Sequence, residues 1–81
     1  MQPECLDDLR YWVDTNRKMA LRVVDLMDTA LRDPFEGIGK PERLKHLGGN
    51  VWSRRINDAD RLVYEVFPDR IEFLQARYHY G

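Results

Sequence analysis

The sequence has a single cysteine, Cys5, and only two histidines. A lone thiol cannot form an intramolecular disulfide or a redox pair, and so few cysteines and histidines cannot assemble a Cys/His metal cluster. We therefore expect neither a metal ion nor a cofactor. An unpaired cysteine also suits the reducing environment of the cytoplasm.

Long apolar segments are absent as well. No run approaches the roughly 20 residues that a membrane-spanning helix needs. The first residues also lack the basic and then apolar pattern of a secretory signal peptide. The sequence therefore predicts a soluble, cytoplasmic protein with no role at a membrane.

The chain carries almost no net charge, −1 at pH 7 from 13 basic and 14 acidic side chains. This balance argues against polyanion binding driven by overall charge. The charge is unevenly distributed, because residues 34–63 carry six basic and four acidic side chains, whereas residues 1–33 carry five and seven. Positive charge therefore gathers in the middle third of the chain, where it can attract phosphate.

The length of 81 residues, 43% of them apolar, predicts one domain spanning residues 1–81 around one core. Apolar residues recur at three- and four-residue spacing in two segments that end before Asp33 and Pro34, which predicts a helical hairpin. Residues 34–50 contain four glycines and two prolines and are expected to form a long functional loop. The residues expected to lie in the core are Trp12, Val23, Val24, Met27 and Leu62.

Beyond residue 50 the apolar residues alternate with polar ones, which is typical of β-strands. Turn-forming residues at 57–60 and the Pro68-Asp69 break divide this region into three strands. We therefore predict an α+β fold, in which two N-terminal helices pack on one face of a small, curved, antiparallel sheet.

Several residues suit the cleavage of an RNA backbone without a metal. That reaction needs a base for the 2'-hydroxyl, cationic donors for the crowded phosphorane, and an acid for the departing 5'-oxygen. The sequence offers candidates for all three roles. They are Glu42, the arginines of the segments Trp52 to Arg55 and Arg61 to Tyr64, and the terminal segment Arg77 to Tyr80. Arginine suits the second role because its planar fork can bind two phosphate oxygens at once.

Five short segments resemble the motifs of YoeB-type toxins, in the same order and at similar spacings. They are Pro34 to Gly37, Gly39 to Glu42, Trp52 to Ile56, Arg61 to Tyr64 and Arg77 to Tyr80. The resemblance covers roughly residues 3–80 and implies the RelE or microbial RNase-like fold. YoeB-type toxins usually open with a short strand, and here that strand is missing or truncated.

The resemblance implies that the protein is a metal-independent endoribonuclease. It would cut messenger RNA in the ribosomal A site, leave a 2',3'-cyclic phosphate and inhibit translation. A YefM-like antitoxin would neutralise it, homodimers are possible, and DNA would be contacted only through the antitoxin. The expected site residues are Glu42 as general base, Arg61 as phosphate clamp, His79 as general acid and Tyr80 as a second polar group, with Lys40, Lys45, Trp52 and Arg55 binding RNA.

Other interpretations of these residues remain open. Glu42 could be a solvated loop acid, and Arg61 could pair with Asp58 or Asp60 at the rim of the sheet. Because Arg54 and Arg55 point to opposite faces of a strand, at most one of them can join the site, and we favour Arg55. The protein could also be an RNA- or ribosome-binding module without catalysis, or act only as a partner of a DNA-bound antitoxin.

Overall fold

The computed structural model describes residues 1–77, and its N-terminal part is the expected helical hairpin. Helix α1 spans Pro3–Thr15 and helix α2 spans Arg17–Arg32. Between them, the Asn16 side chain accepts a hydrogen bond from the backbone N–H of Met19 at 3.3 Å and so caps α2. Neither helix of the described chain is long and apolar enough to cross a membrane.

The rest of the described chain forms an antiparallel meander. The turn at residues 57–60 is closed by Asn57, whose side-chain oxygen accepts hydrogen bonds from the N–H groups of Ala59 and Asp60, both at 2.8 Å. Neighbouring strands in the chain are also neighbours in the sheet. The strands are β1 at Glu42–Arg43, β2 at Val51–Arg55, β3 at Arg61–Val66 and β4 at Ile71–Gln75.

The segment expected to be only a loop contains regular structure. Two of its residues form β1, which pairs with β2, and Lys45–Leu47 form a single 3-10 turn. A strand of two residues is too short to show an alternating pattern, so periodicity could not reveal it. This pairing matters for the site because it fixes Glu42 against the sheet.

The core lies between the helices and one face of the sheet, as predicted for Trp12, Val23, Met27 and Leu62, which are all buried. The prediction for Val24 is wrong, since its side chain is 48% exposed. Successive residues point about 100° apart around a helix, so the face that buries Val23 turns Val24 away from the sheet. Val24 instead lines an open apolar groove between α1 and α2.

The two residues that stand before α1 in this sequence form no strand, as expected. Met1 and Gln2 nevertheless lie along β4, where the Gln2 N–H donates to the Phe73 carbonyl at 2.8 Å. The terminal amino group is 3.2 Å from Oε1 of Glu72 and, with the Gln2 side chain, holds the pKa of that carboxyl below its usual range. These two residues therefore supply hydrogen-bond and ion-pair partners to part of the exposed edge of β4.

Candidate functional site

The register of the sheet gathers the charged residues of interest on one face. Cross-strand partners share a face, and Glu42 pairs with Ser53 while Arg55 pairs with Arg61. Ser53 and Arg55 are two residues apart in β2 and so also face the same side. The helices cover the opposite face, which leaves these four residues on the side away from the helical layer.

Glu42 and Arg61 form an ion pair across this face. Oε2 of Glu42 lies 3.6 Å from Nη1 of Arg61, which also donates to the hydroxyl of buried Ser53 at 3.4 Å. The Glu42 side chain is 66% exposed and that of Arg61 is 25% exposed. Arg61 therefore pairs with Glu42 rather than with Asp58 or Asp60, and the carboxylate stays open to solvent.

Arg55 adds a second cation beside Arg61. The two arginines are direct cross-strand partners, and like charges in such positions repel each other. Within residues 1–77 no carboxylate forms an ion pair with Arg55. Arg55 and Arg61 together outnumber the one carboxylate of Glu42, and this excess of positive charge favours the approach of an anion.

Arg54, the neighbour of Arg55, points the other way and is fully buried. Its guanidinium donates to the hydroxyl of Tyr64 at 3.0 Å and to the carbonyls of Ile38, Asp33 and Glu36 at 3.1, 2.6 and 3.0 Å. The expectation that only one of the two arginines joins the site is consistent with this arrangement. Arg54 instead binds the loop at residues 33–39 to the sheet through these hydrogen bonds.

The loop then leads into β1 through a strained position. The carbonyl of Gly39 accepts a hydrogen bond from the Arg55 N–H at 2.6 Å, and Lys40 adopts a left-handed conformation with φ 51°. A side chain with a Cβ is disfavoured there. A Cβ on Gly39 would lie 2.7 Å from Cδ2 of Leu26, so this glycine is required by close packing. Together these features direct the chain toward Glu42.

The other expected site residues are only partly brought together. Lys40 and Lys45 are exposed on either side of β1. Trp52 lies on the helix-covered face, packed on the core, with its ring 5.1 Å from that of Phe35. The structure therefore does not place Trp52 beside Glu42 and Arg61. His79 and Tyr80 lie outside the described residues.

The residue that sequence reasoning missed in this region is Ser53, whose hydroxyl contacts Arg61. Its position could have been inferred from alternation alone, because it faces the same way as Arg55. The described part of the chain holds no group of three or more His, Cys, Asp or Glu side chains placed to bind a metal.

The described residues of this face could supply a base and cationic groups to a phosphodiester: the exposed carboxylate of Glu42, the held guanidinium of Arg61 and the second cation of Arg55. Comparison with known proteins identifies the family of the chain. The family model for the YoeB-like toxin of bacterial type II toxin-antitoxin systems matches residues 1–80. The chain belongs to the YoeB toxin family. It is thus a toxin of a type II toxin-antitoxin system.

Individual YoeB proteins are similar over nearly their whole length. Toxin YoeB of Mycobacterium bovis is 46% identical over 78 residues, which cover 96% of this chain and 92% of the relative. Toxin YoeB of Escherichia coli strain K12 is 44% identical over 77 residues, covering 95% and 92%.

Solved YoeB structures share the fold. A YoeB/ParE toxin from Agrobacterium tumefaciens superposes with a TM-score of 0.91 at 41% identity, covering 98% of this chain and 94% of that one. A YoeB dimer from Staphylococcus aureus gives 0.87 at 40% identity, with coverage of 98% and 92%. A YoeB-YefM complex from the same organism gives 0.84 at 41% identity, again covering 98% and 92%. The RelE-like fold expected from the sequence is therefore confirmed.

Proposed function

We propose that this YoeB-family toxin is an endoribonuclease that cuts messenger RNA on the ribosome without a metal ion. The observation that carries the proposal is the 3.6 Å ion pair between Glu42 and Arg61, on a sheet face where Arg55 adds positive charge. The base and the phosphate-binding group must be close enough to contact the same phosphodiester, and these two side chains are.

In the proposed reaction Glu42 removes the proton from the 2'-hydroxyl. Its exposed carboxylate can reach an RNA strand lying across the sheet. The 2'-oxygen then attacks phosphorus, forming the 2'-O–P bond while the bond to the 5'-oxygen breaks. The products are a 2',3'-cyclic phosphate and a free 5'-hydroxyl.

Arg61 would stabilise the negative charge that builds on the phosphorane. Ser53 holds one end of the guanidinium at 3.4 Å, which limits the rotamer freedom lost on binding. A planar guanidinium has five donors, so contacts to Glu42 and Ser53 leave others for phosphate oxygens. Arg55, and Lys40 and Lys45 on the exposed segment around β1, would supply further positive charge.

The departing 5'-oxygen needs a proton, and the family resemblance assigns that role to His79, with Tyr80 as a second polar group. Histidine is suited to it because its ordinary pKa of ~6.5 keeps a useful protonated fraction near neutral pH. Both residues lie beyond the described part of the chain, so their roles in this proposal come from the terminal motif.

The near-neutral net charge of the chain is consistent with an RNA substrate that is presented by the ribosome. A protein with a net charge of −1 gains little from long-range attraction to RNA. A carrier that presents the strand at high local concentration removes the need for such attraction. The Staphylococcus aureus YoeB-YefM complex supports a YefM-like antitoxin as partner, and the YoeB dimer from the same organism supports a homodimer. Contact with DNA only through the antitoxin follows from the family resemblance.

The test is a cleavage assay with purified ribosomes and a defined messenger RNA. The wild type should produce cuts with 2',3'-cyclic ends, while Glu42→Gln and Arg61→Ala should each lower the rate about 100-fold or more. Arg32→Ala, which removes an exposed cation from α2, is the control and should cut normally. Intact messenger after incubation with the wild type would refute the proposal.

A ribosome-binding module without catalysis predicts a different outcome. It would sediment with ribosomes and slow translation while leaving the messenger uncut. Glu42→Gln would then inhibit translation as strongly as the wild type. Measuring sedimentation and cleavage on the same samples separates the two functions.

A further inference from the structure

The side chains of α1 hold the backbone at the end of β4. The N–H of Ala76 donates to Oδ2 of Asp8 at 2.9 Å, and its carbonyl accepts from Nε1 of Trp12 at 2.7 Å. Ala76 is fully buried. Both polar groups of one backbone residue are thus bound by two side chains that lie one turn apart on the same helix.

The next residue is held by the same helix. The guanidinium carbon of Arg77 lies 3.4 Å from the centre of the Tyr11 ring, in a cation-π contact. Tyr11 in turn packs edge-on against Trp12, with ring centres 5.1 Å apart and an interplanar angle of 74°. We call Asp8, Tyr11 and Trp12 the α1 clamp.

The clamp acts where the sheet stops supporting the chain. Gln75 is the last residue of β4 and, within residues 1–77, the last with a partner in β3. Beyond it, buried backbone groups need other partners, because leaving them without hydrogen bonds is costly. Asp8 and Trp12 provide those partners and so hold Ala76, the residue that follows β4, against α1.

We propose that the α1 clamp is a positioning device for the terminal segment that carries His79. The inference rests on the proposed function, since the general-acid role of His79 is part of that proposal. Two peptide units span at most about 7 Å, so fixing Arg77 restricts the region that the imidazole can occupy. A general acid must come within hydrogen-bond reach of its oxygen, and a misplacement of about 1 Å can cost about 100-fold in rate.

Asp8 offers a matched set of variants for the test. Asp8→Ala removes the acceptor for the Ala76 N–H, Asp8→Asn keeps a side-chain oxygen there, and Asp7→Ala changes an exposed neighbour on the same helix. We expect the cleavage rate at saturating ribosomes to fall at least about 10-fold for Asp8→Ala, with the ribosome KM unchanged. Asp8→Asn should restore most of the rate, and Asp7→Ala should match the wild type.

The discriminating measurement repeats Asp8→Ala in a His79→Ala background. If the clamp acts through His79, Asp8→Ala lowers the rate strongly in the wild type and little when His79 is already absent. Equal losses in the two backgrounds, or a loss that Asp8→Asn fails to restore, overturn the proposal. Trp12→Phe, which removes the donor to the Ala76 carbonyl and keeps an aromatic ring, should follow the same pattern.

Hydrogen exchange at the Ala76 amide separates failure of the clamp from failure of the proposed function. The amide should be protected in the wild type and Asp7→Ala, and exchange at least about 10-fold faster in Asp8→Ala. Fast exchange in the wild type would refute the clamp itself. Protection combined with intact messenger would refute the nuclease, and the positioning of a general acid with it, while leaving the anchored backbone established.

Discussion

Nε of Arg54 donates a hydrogen bond to the hydroxyl of Tyr64 at 3.0 Å, and that hydroxyl donates to the carbonyl of Pro34 at 2.7 Å. The arginine and tyrosine are both fully buried. No carboxylate of the described chain forms an ion pair with this guanidinium. Three backbone carbonyls of the loop at residues 33–39 take the place of a counter-ion.

Replacing Arg54 should therefore destabilise the fold. Arg54→Met keeps much of the side-chain length but leaves buried carbonyls without donors, and we expect the free energy of unfolding in urea to fall by about 3 kcal/mol or more. Tyr64→Phe removes the acceptor for Nε of Arg54 and the donor to the Pro34 carbonyl, and should cost about 2 kcal/mol. Arg70→Met, at an exposed arginine, is the control and should stay within about 0.5 kcal/mol of the wild type. Similar losses for Arg54→Met and Arg70→Met would show that the hydrogen bonds from Arg54 to the loop do not stabilise the fold.

The left-handed backbone conformation of Lys40 should make its substitutions differ in stability. With φ 51°, a residue bearing a Cβ is disfavoured there, whereas glycine is not. Lys40→Gly and Lys40→Ala remove the same charge, but the glycine variant should be more stable than the alanine variant by about 1 kcal/mol. Urea denaturation of the two variants measures the difference. An alanine variant as stable as the glycine variant would mean that this position carries no strain.

Arg61→Lys tests whether the shape of the cation matters. Lysine provides a point charge and cannot contact Ser53, Glu42 and two phosphate oxygens in the same way. We expect ribosome-dependent cleavage to fall about 10- to 100-fold while the melting temperature changes little. Arg32→Lys, at an exposed position of α2, should cleave like the wild type. A fully active Arg61→Lys would reduce the role of Arg61 to simple charge.

Two buried groups predict the alkaline stability of the protein. Burial is the main cause that raises the pKa of Cys5 from 9.0 to about 12, and burial also raises the pKa of Tyr64. Both groups ionise more readily in the unfolded chain than in the folded protein. Their contribution to the free energy of unfolding is therefore complete below the unfolded pKa and is lost as pH rises through the folded pKa. The free energy of unfolding should therefore decline above pH 9.0.

Cys5→Ala should make that decline shallower, because one of the two groups is gone. The measurement is urea denaturation at a series of alkaline pH values. The native thiol should also resist alkylation at mildly alkaline pH and react once the protein is unfolded. An identical pH slope in Cys5→Ala would contradict the assignment for Cys5.

Local patterns were sufficient to predict the helical hairpin and the meander. Turn chemistry placed the break at Asn57, and helix periodicity predicted both α1 and α2. The same periodicity misplaced Val24, because a stripe of apolar residues does not say which of its flanks a single sheet will cover. The sequence also could not reveal β1, which consists of only two residues.

The site was less accessible from the sequence alone. Strand alternation separated Arg54 from Arg55, but nothing local predicts that a buried guanidinium is satisfied by loop carbonyls. The contact between Glu42 and Arg61 depends on the register of three strands, and only the family motifs suggested it. The roles of His79 and Tyr80 stay predictions, because both residues lie outside the described chain.

The alternation along β2 also affects how genetic selections of this toxin should be interpreted. Survivors of a selection against toxicity should include changes at Arg54 and changes at the neighbouring Arg55. The former would lower the amount of folded protein, whereas the latter would leave an abundant but inactive one. Growth alone scores the two classes identically, so consecutive positions would look equally essential for unrelated reasons. Measuring the amount of toxin in each survivor would distinguish changes at Arg54 from changes on the other face of the strand.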